Sequence, residues 1–121
     1  MTVADTLTMR YFPVVVNGDK SILCRVHPLK QRLVLQIREA AKEFPTIQRI
    51  YLFGSSTTGL CHIDSDTDLC MKCNTPDGMP QFETVAKIGE LCDWNCDILS
   101  YATIDAKLKT IIEKEGVLIY E

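Results

Sequence analysis

Apolar positions along this chain change their period several times, and each change marks an element. Between Pro28 and Phe44, the residues Leu29, Leu33, Ile37, Ala40, Ala41 and Phe44 recur at helical spacing. That period predicts a helix opened by Pro28 and closed before Pro45. Ile47 to Phe53 is a short apolar run, as expected of a buried strand. Gly54 to Gly59 then turns, with room for a short helix. Thr67 to Cys73 predicts a second central strand, and Asn74-Thr75-Pro76-Asp77-Gly78 has the composition of a loop. Phe82, Val85, Ile88 and Leu91 share one face of a helix predicted over 82–91. Cys96 to Tyr101 predicts a third strand. Ile104 to Glu115 predicts a helix with Thr103 as N-cap and Gly116 as its stop. Val117 to Tyr120 predicts a short final strand.

At the N-terminal end, Val14 to Val16 and Ile22 to Val26 flank Asn17-Gly18. That dipeptide suits a type I′ turn, so the segment reads as a β-hairpin, with Pro13 placing its first strand at an edge. From Pro28 onward the order is α-β-(α)-β-α-β-α-β. This predicts an α/β (α+β) fold, a mixed central sheet flanked by helices. Residues 1–27 are expected to form a hairpin extension and residues 28–121 the main domain, within one compact unit. No repeat or low-complexity tract interrupts the pattern.

Composition narrows the function classes. The chain has 121 residues, 46% of them hydrophobic, which is enough for a packed core. Its formal net charge of −3 argues against a broad nucleic-acid-binding surface. A small nucleotide needs only local positive charge and stays compatible. No run approaches the length of a transmembrane helix. The opening MTVADTLTMRYF lacks the basic-then-apolar order of a signal peptide. A cytoplasmic protein without membrane association is expected. In that setting the six cysteines (Cys24, Cys61, Cys70, Cys73, Cys92 and Cys96) read as small, buried, reduced thiols. Cys70 and Cys73 could belong to a zinc site by spacing. In a strand, however, their side chains point to opposite faces.

The run Leu52 to Leu69, LFGSSTTGLCHIDSDTDL, carries the candidate chemistry. Gly54-Ser55 ends an apolar strand, where glycine lets a phosphate approach the backbone and Ser55 can add a hydrogen bond. By itself such a pair is most often only a turn. Ten residues further on stand Asp66 and Asp68, which share one face of an extended segment. At an effective dielectric near 20 and roughly 6 Å, two such charges repel by about 3 kcal/mol. A bound cation or a proton relieves that cost. Alone, the pair also reads as a solvated acidic strand start. Asp97 lies in an otherwise apolar strand, either salt-bridged to Lys72 or Lys107 or completing a three-carboxylate metal site.

Phe53-Gly54-Ser55, then Asp66-Thr67-Asp68, then Asp97 on a later strand resembles the pattern of the DNA polymerase beta-like nucleotidyltransferase superfamily. The short chain and its ending resemble the minimal nucleotidyltransferases, and FGSSTTGL followed by SDTDLC is similar to the equivalent turn of non-template poly(A) and uridyl transferases. The resemblance spans residues 28–121. It implies a nucleotidyltransferase that moves a nucleoside monophosphate from a triphosphate, with ATP the expected substrate, to a hydroxyl acceptor. It further implies that Gly54 and Ser55 hold the β- and γ-phosphates, and that Asp66, Asp68 and Asp97 hold two magnesium ions. Asp97 would also serve the acceptor hydroxyl. A HEPN-type helical partner protein is implied, with a homo-oligomer as the other way to cover exposed edges. An RNA end is a less favoured acceptor. Minimal relatives often carry arginines in the turn after Gly-Ser, where this chain has Ser56 and Thr58. The grip on triphosphate is then weaker, or a partner supplies the cation. Trp94 reads as a loop or core residue and His62 as an exposed turn residue. A non-catalytic nucleotide-binding or scaffold subunit is the alternative to the enzyme.

Overall fold

The computed structural model describes residues 11–121. Helices α1 (Lys20–Leu23) and α2 (Pro28–Ala41) come first, followed by β1 (Ile47–Phe53) and a 3₁₀ turn (Gly54–Thr57). Then come β2 (Thr67–Cys73), α3 (Phe82–Leu91), β3 (Cys96–Ser100), α4 (Ala106–Glu115) and β4 (Val117–Tyr120). The sheet runs β3-β2-β1-β4. β1 pairs antiparallel with both β2 and β4, and β2 pairs parallel with β3. The sheet is therefore mixed, as the order of elements predicts, because α3 is the crossover that a parallel pair needs.

Alternation along the central strands sorts the core onto two faces. Ile50, Leu52, Leu69 and Met71 are fully buried on one face, against Leu23, Val34, Ile37 and Ile88 from the first three helices. Each such side chain contributes about 1.5–3 kcal/mol through its burial. Tyr51 and Cys70 point to the other face, where α4 covers them with Ile112 and Leu108. Cys70 and Cys73 fall in these two different clusters, as strand spacing requires. All six cysteines are free thiols, and burial pushes Cys70 up to about 11 and Cys92 to about 12. No helix among the described residues is long and apolar enough to cross a membrane.

The expected N-terminal hairpin is not formed among the described residues. Residues 14–18 have no strand, and Lys20–Leu23 is a turn of helix. Two interactions decide this. The Asp19 side chain accepts from the Ser21 N–H and caps α1. Gln31, fully buried on α2, then takes the hydrogen bonds that a partner strand would have taken. It accepts from the Val15 N–H at 2.9 Å and donates to the carbonyls of Pro13, Leu23 and Val26 at 2.9, 3.1 and 3.0 Å. Leu23 and Val26 meanwhile enter the main core, so this segment packs as part of the domain.

Two helix faces are also rotated from expectation. On α2, Leu29 is 51% exposed, and Lys30 and Gln31 are buried beside Val34, Ile37 and Ala41. On α3, Phe82 is 83% exposed and Val85 is exposed, with Thr84, Ile88 and Gly89 turned inward. Buried polar residues do not register in an apolar period. The last helix begins at Ala106 with Asp105 as N-cap, accepting from the Leu108 N–H at 2.7 Å. Thr103 does not cap it, because its hydroxyl donates to the Ser100 carbonyl.

Candidate active site

The site lies where β1 ends and where β2 and β3 begin. Gly54 leaves β1 with φ +74°, a conformation that costs other residues strain. A β-carbon at Gly54 would also collide with Asp68 Oδ2, so the glycine is what lets the Asp68 carboxylate lie against this turn. Thr57 and Thr58 donate their hydroxyls to the Gly54 and Ser55 carbonyls at 2.9 and 3.2 Å and fix the turn. Ser55 is half-buried. Ser56 is fully buried, and its hydroxyl has no hydrogen-bond partner among the described residues.

Asp68 stands opposite Phe53 on one side and opposite Asp97 on the other. The parallel register sets those two acids side by side, at the strand spacing of about 4.8 Å. Burial pushes the Asp68 carboxyl above its ordinary value, and the Asp97 and Asp66 charges push it further, while Lys30 pulls it back. Asp68 thus lies near enough to both Asp66 and Asp97 to feel their charges. Asp66 and Asp97 are exposed and Asp68 is half-buried. Among the described residues Asp97 has no salt bridge to Lys72, Lys107 or any other cation.

Sequence reasoning missed Lys30, which organises the acid-bearing loop. It is 8% exposed, and its Nζ donates to the Ser65 carbonyl at 2.7 Å and to Thr67 Oγ1 at 2.9 Å. Those two residues flank Asp66. The available signal was positional: Lys30 shares a helical stripe with Val34, Ile37 and Ala41. From the other side, Asn95 Nδ2 donates to the Asp64 and Ser65 carbonyls at 3.4 Å each. The Asn95 carbonyl in turn accepts from the Thr67 N–H.

Asp93 and Trp94, just before β3, have φ 51° and 61°. Each such residue costs about 1–2 kcal/mol. Trp94 is 69% exposed and lays its ring on Gly89 of α3, where a Cβ would stand 2.8 Å from the ring. It is a loop residue, and His62 is an exposed turn residue.

Beside Gly54, and lined by none of the three acids, opens a cleft of about 590 Å³. Gly54, Ser55, Thr57 and Thr58 form one side of it, α4 another, and Arg25 reaches in from the segment before α2.

The donor set of Asp66, Asp68 and Asp97 consists only of hard oxygens, which suits a divalent cation such as magnesium. The raised Asp68 pKa marks a carboxylate that a cation would relieve. The three do not form a closed cage. Among the described residues no group of three His, Cys, Asp or Glu side chains is gathered tightly enough to hold an ion.

Comparison with known proteins bears on the fold and the family. A chain of a toxin–antitoxin complex crystallised with AMP-PNP is 24% identical, with a TM-score of 0.55 over 73% of this chain and 70% of that one. A second, from a complex of a tri-AMPylated Shewanella oneidensis HEPN toxin with an MNT antitoxin, is 23% identical, with a TM-score of 0.55 over 74% and 71%. A third, from the toxin–antitoxin MntA–HepT, is 22% identical, with a TM-score of 0.54 over 74% and 70%. At these identities the likeness shows a shared fold. No curated protein matches the sequence at a significant level. The family profile described as polymerase beta, nucleotidyltransferase matches residues 35–121 and takes in Gly54, Ser55 and all three acids. The chain belongs to the polymerase beta nucleotidyltransferase family.

Proposed function

We propose that this protein transfers a nucleoside monophosphate from ATP to a hydroxyl group on a HEPN-type helical partner protein, with magnesium as its metal. The observation that carries the reading is one juxtaposition. The Asp68 carboxylate lies against the Gly54–Ser55 turn, and Asp97 is its neighbour across the parallel strands. A phosphate-holding turn and the carboxylates then serve one substrate.

In this reading Gly54 and Ser55 hold the β- and γ-phosphates, because the missing side chain at Gly54 lets them approach the backbone. Asp66, Asp68 and Asp97 would hold the magnesium jointly with the triphosphate oxygens, since magnesium is usually bound through carboxylates and substrate phosphates and not by a closed protein cage; when bound it would offset the charge on the transferred phosphate and on the leaving pyrophosphate. The acceptor oxygen bonds to the α-phosphorus while the bond from that phosphorus to pyrophosphate breaks. Asp97, exposed and free of any salt bridge among the described residues, takes the acceptor proton. Lys30 holds Ser65 and Thr67 in place and so steadies Asp66 and Asp68. Most of the acceleration comes from alignment and charge stabilisation.

The partner assignment draws on the fold shared with chains from toxin–antitoxin complexes, one of which contains a HEPN toxin. It also draws on surface chemistry. Asp64, Asp66, Asp93 and Asp97 are all exposed around the site, which disfavours an RNA acceptor. The exposed Ile63 and Trp94 beside them offer apolar contact to a protein. ATP is inferred from family membership and from the AMP-PNP complex of the structural neighbour.

The test is thermal unfolding with magnesium and each of the four nucleoside triphosphates, on wild type and on Asp66→Asn/Asp68→Asn. A ligand at about 100 times its Kd stabilises by roughly 2.7 kcal/mol. A magnesium-dependent shift, largest with ATP and lost in the double variant, is expected. No shift at millimolar triphosphate would leave a scaffold subunit as the better account.

A further inference from the structure

The charges around the proposed triphosphate site are unbalanced. Three carboxylates line one end of it, and residues 54–65 contain neither lysine nor arginine. Lys30 is buried and committed to Ser65 and Thr67. A polyanionic phosphate chain laid over Gly54–Ser55 therefore needs a further cation beyond the reach of the acids. The cleft beside Gly54 holds one. Arg25 lines it together with Gly54, Ser55, Thr57 and Thr58.

We propose that Arg25 is the terminal-phosphate contact of this nucleotidyltransferase, so that the phosphate tail runs from the acids across Gly54–Ser55 into the cleft and ends on the Arg25 guanidinium. The inference rests on the triphosphate reading above and names a residue outside the matched family region. Three observations favour it. Among the described residues Arg25 makes no salt bridge, and its one described hydrogen bond is a long one, Nη2 to the Gly116 carbonyl at 3.4 Å. Most of its donors are thus uncommitted, and the guanidinium fork matches phosphate oxygens in pairs. Its position is set from both sides. The His27 N–H donates to the Ser56 carbonyl at 2.8 Å, which ties the Arg25 segment to the phosphate turn, and the Gly116 bond holds the guanidinium at the rim. Among the described residues, Glu115 is the one carboxylate that also lines the cleft, and it forms no salt bridge with Arg25.

The placement predicts selectivity by phosphate number. Arg25 recognises the tail and not the nucleoside, so its loss weakens ATP and spares AMP. Isothermal titration calorimetry on the full chain, with magnesium, measures ATP and AMP binding to wild type, Arg25→Gln and Glu115→Gln. For Arg25→Gln, ATP affinity is expected to fall roughly tenfold to hundredfold, the scale of one charge-assisted contact, with AMP affinity unchanged. For Glu115→Gln, a change at an exposed position, ATP affinity is expected to rise about twofold to fivefold, because a like charge leaves the cleft. Equal loss of ATP and AMP in Arg25→Gln would overturn the proposal, since Arg25 would then act through the fold. Unchanged ATP affinity in either variant would also overturn it. The glutamate variant keeps the test decisive if Arg25→Gln does not fold. A wild type that binds no nucleotide would instead overturn the nucleotidyltransferase reading beneath it.

Discussion

Gly54→Ala probes the contact on which the site depends. The φ of +74° costs a residue with a β-carbon about 1–2 kcal/mol. The new Cβ would overlap Asp68 Oδ2 yet stand an ordinary 3.5 Å from Asp68 Cβ. Moving that carboxylate some 30° off its rotamer adds about 0.5–1.5 kcal/mol. The substitution is therefore expected to cost about 1.5–3.5 kcal/mol in the wild-type background. In an Asp68→Ala background the overlapping atoms are gone, and only the backbone cost of about 1–2 kcal/mol remains. Urea unfolding of the four proteins, in buffer free of divalent cations, closes the double-mutant cycle. A coupling of about 1 kcal/mol is expected. Whatever Asp68→Ala does by removing a charge enters both arms and cancels. Strict additivity, within about 0.3 kcal/mol, would refute the claim that the Asp68 carboxylate rests on Gly54.

Three further predictions concern the acids and their supports. Burial and the Asp97 and Asp66 charges raise Asp68 above 3.8 in the folded chain, so the native state keeps this proton where the unfolded chain has released it. Stability owed to this group is present in full below that pH and falls as pH rises through the folded pKa. Asp68→Asn should thus stabilise the metal-free protein at neutral pH, with the gain vanishing on acidification. An offset independent of pH in chemical unfolding would contradict this. Lys30→Met leaves the Ser65 carbonyl and Thr67 hydroxyl without their buried donor, and a loss of about 2 kcal/mol is expected in urea unfolding. No loss would mean that water replaces the ammonium. Gly89→Ala displaces the ring of Trp94, the single tryptophan of the chain, and a red-shifted emission is expected. Its stability should change little, because the helix gains about 1 kcal/mol from replacing glycine. An unaltered spectrum would place the ring elsewhere.

Local pattern was a good guide wherever an element satisfies itself or is buried on both faces. β1, β2, α3 and β4 begin and end where the apolar runs and their flanking turns predict, because the breaks between those runs are set by local turn chemistry. Within the run 52–69, Gly54-Ser55 and Asp66-x-Asp68 stood out because their spacing is short and strand alternation puts Asp66 and Asp68 on one face. Asp97, on a distant strand, was joined to them through the family resemblance, since no local period connects it to the others.

The N-terminal segment was not legible. Asn17-Gly18 has the local chemistry of a hairpin turn, but Gln31, on another element, takes the hydrogen bonds of the segment. Lys30 and Arg25 were missed likewise. A lysine on an apolar stripe and an arginine before a helix carry no periodic signal, and each acquires its role only from what lies across the fold. By itself the sequence determined the order of elements from Pro28 onward and the sheet class, both consequences of backbone period. Only the tertiary structure decided which polar groups are buried, what holds them, and that Arg25 shares a cleft with the Gly54–Ser55 turn. Those outcomes depend on hydrogen bonds and charges between residues distant along the chain, where local propensity is silent.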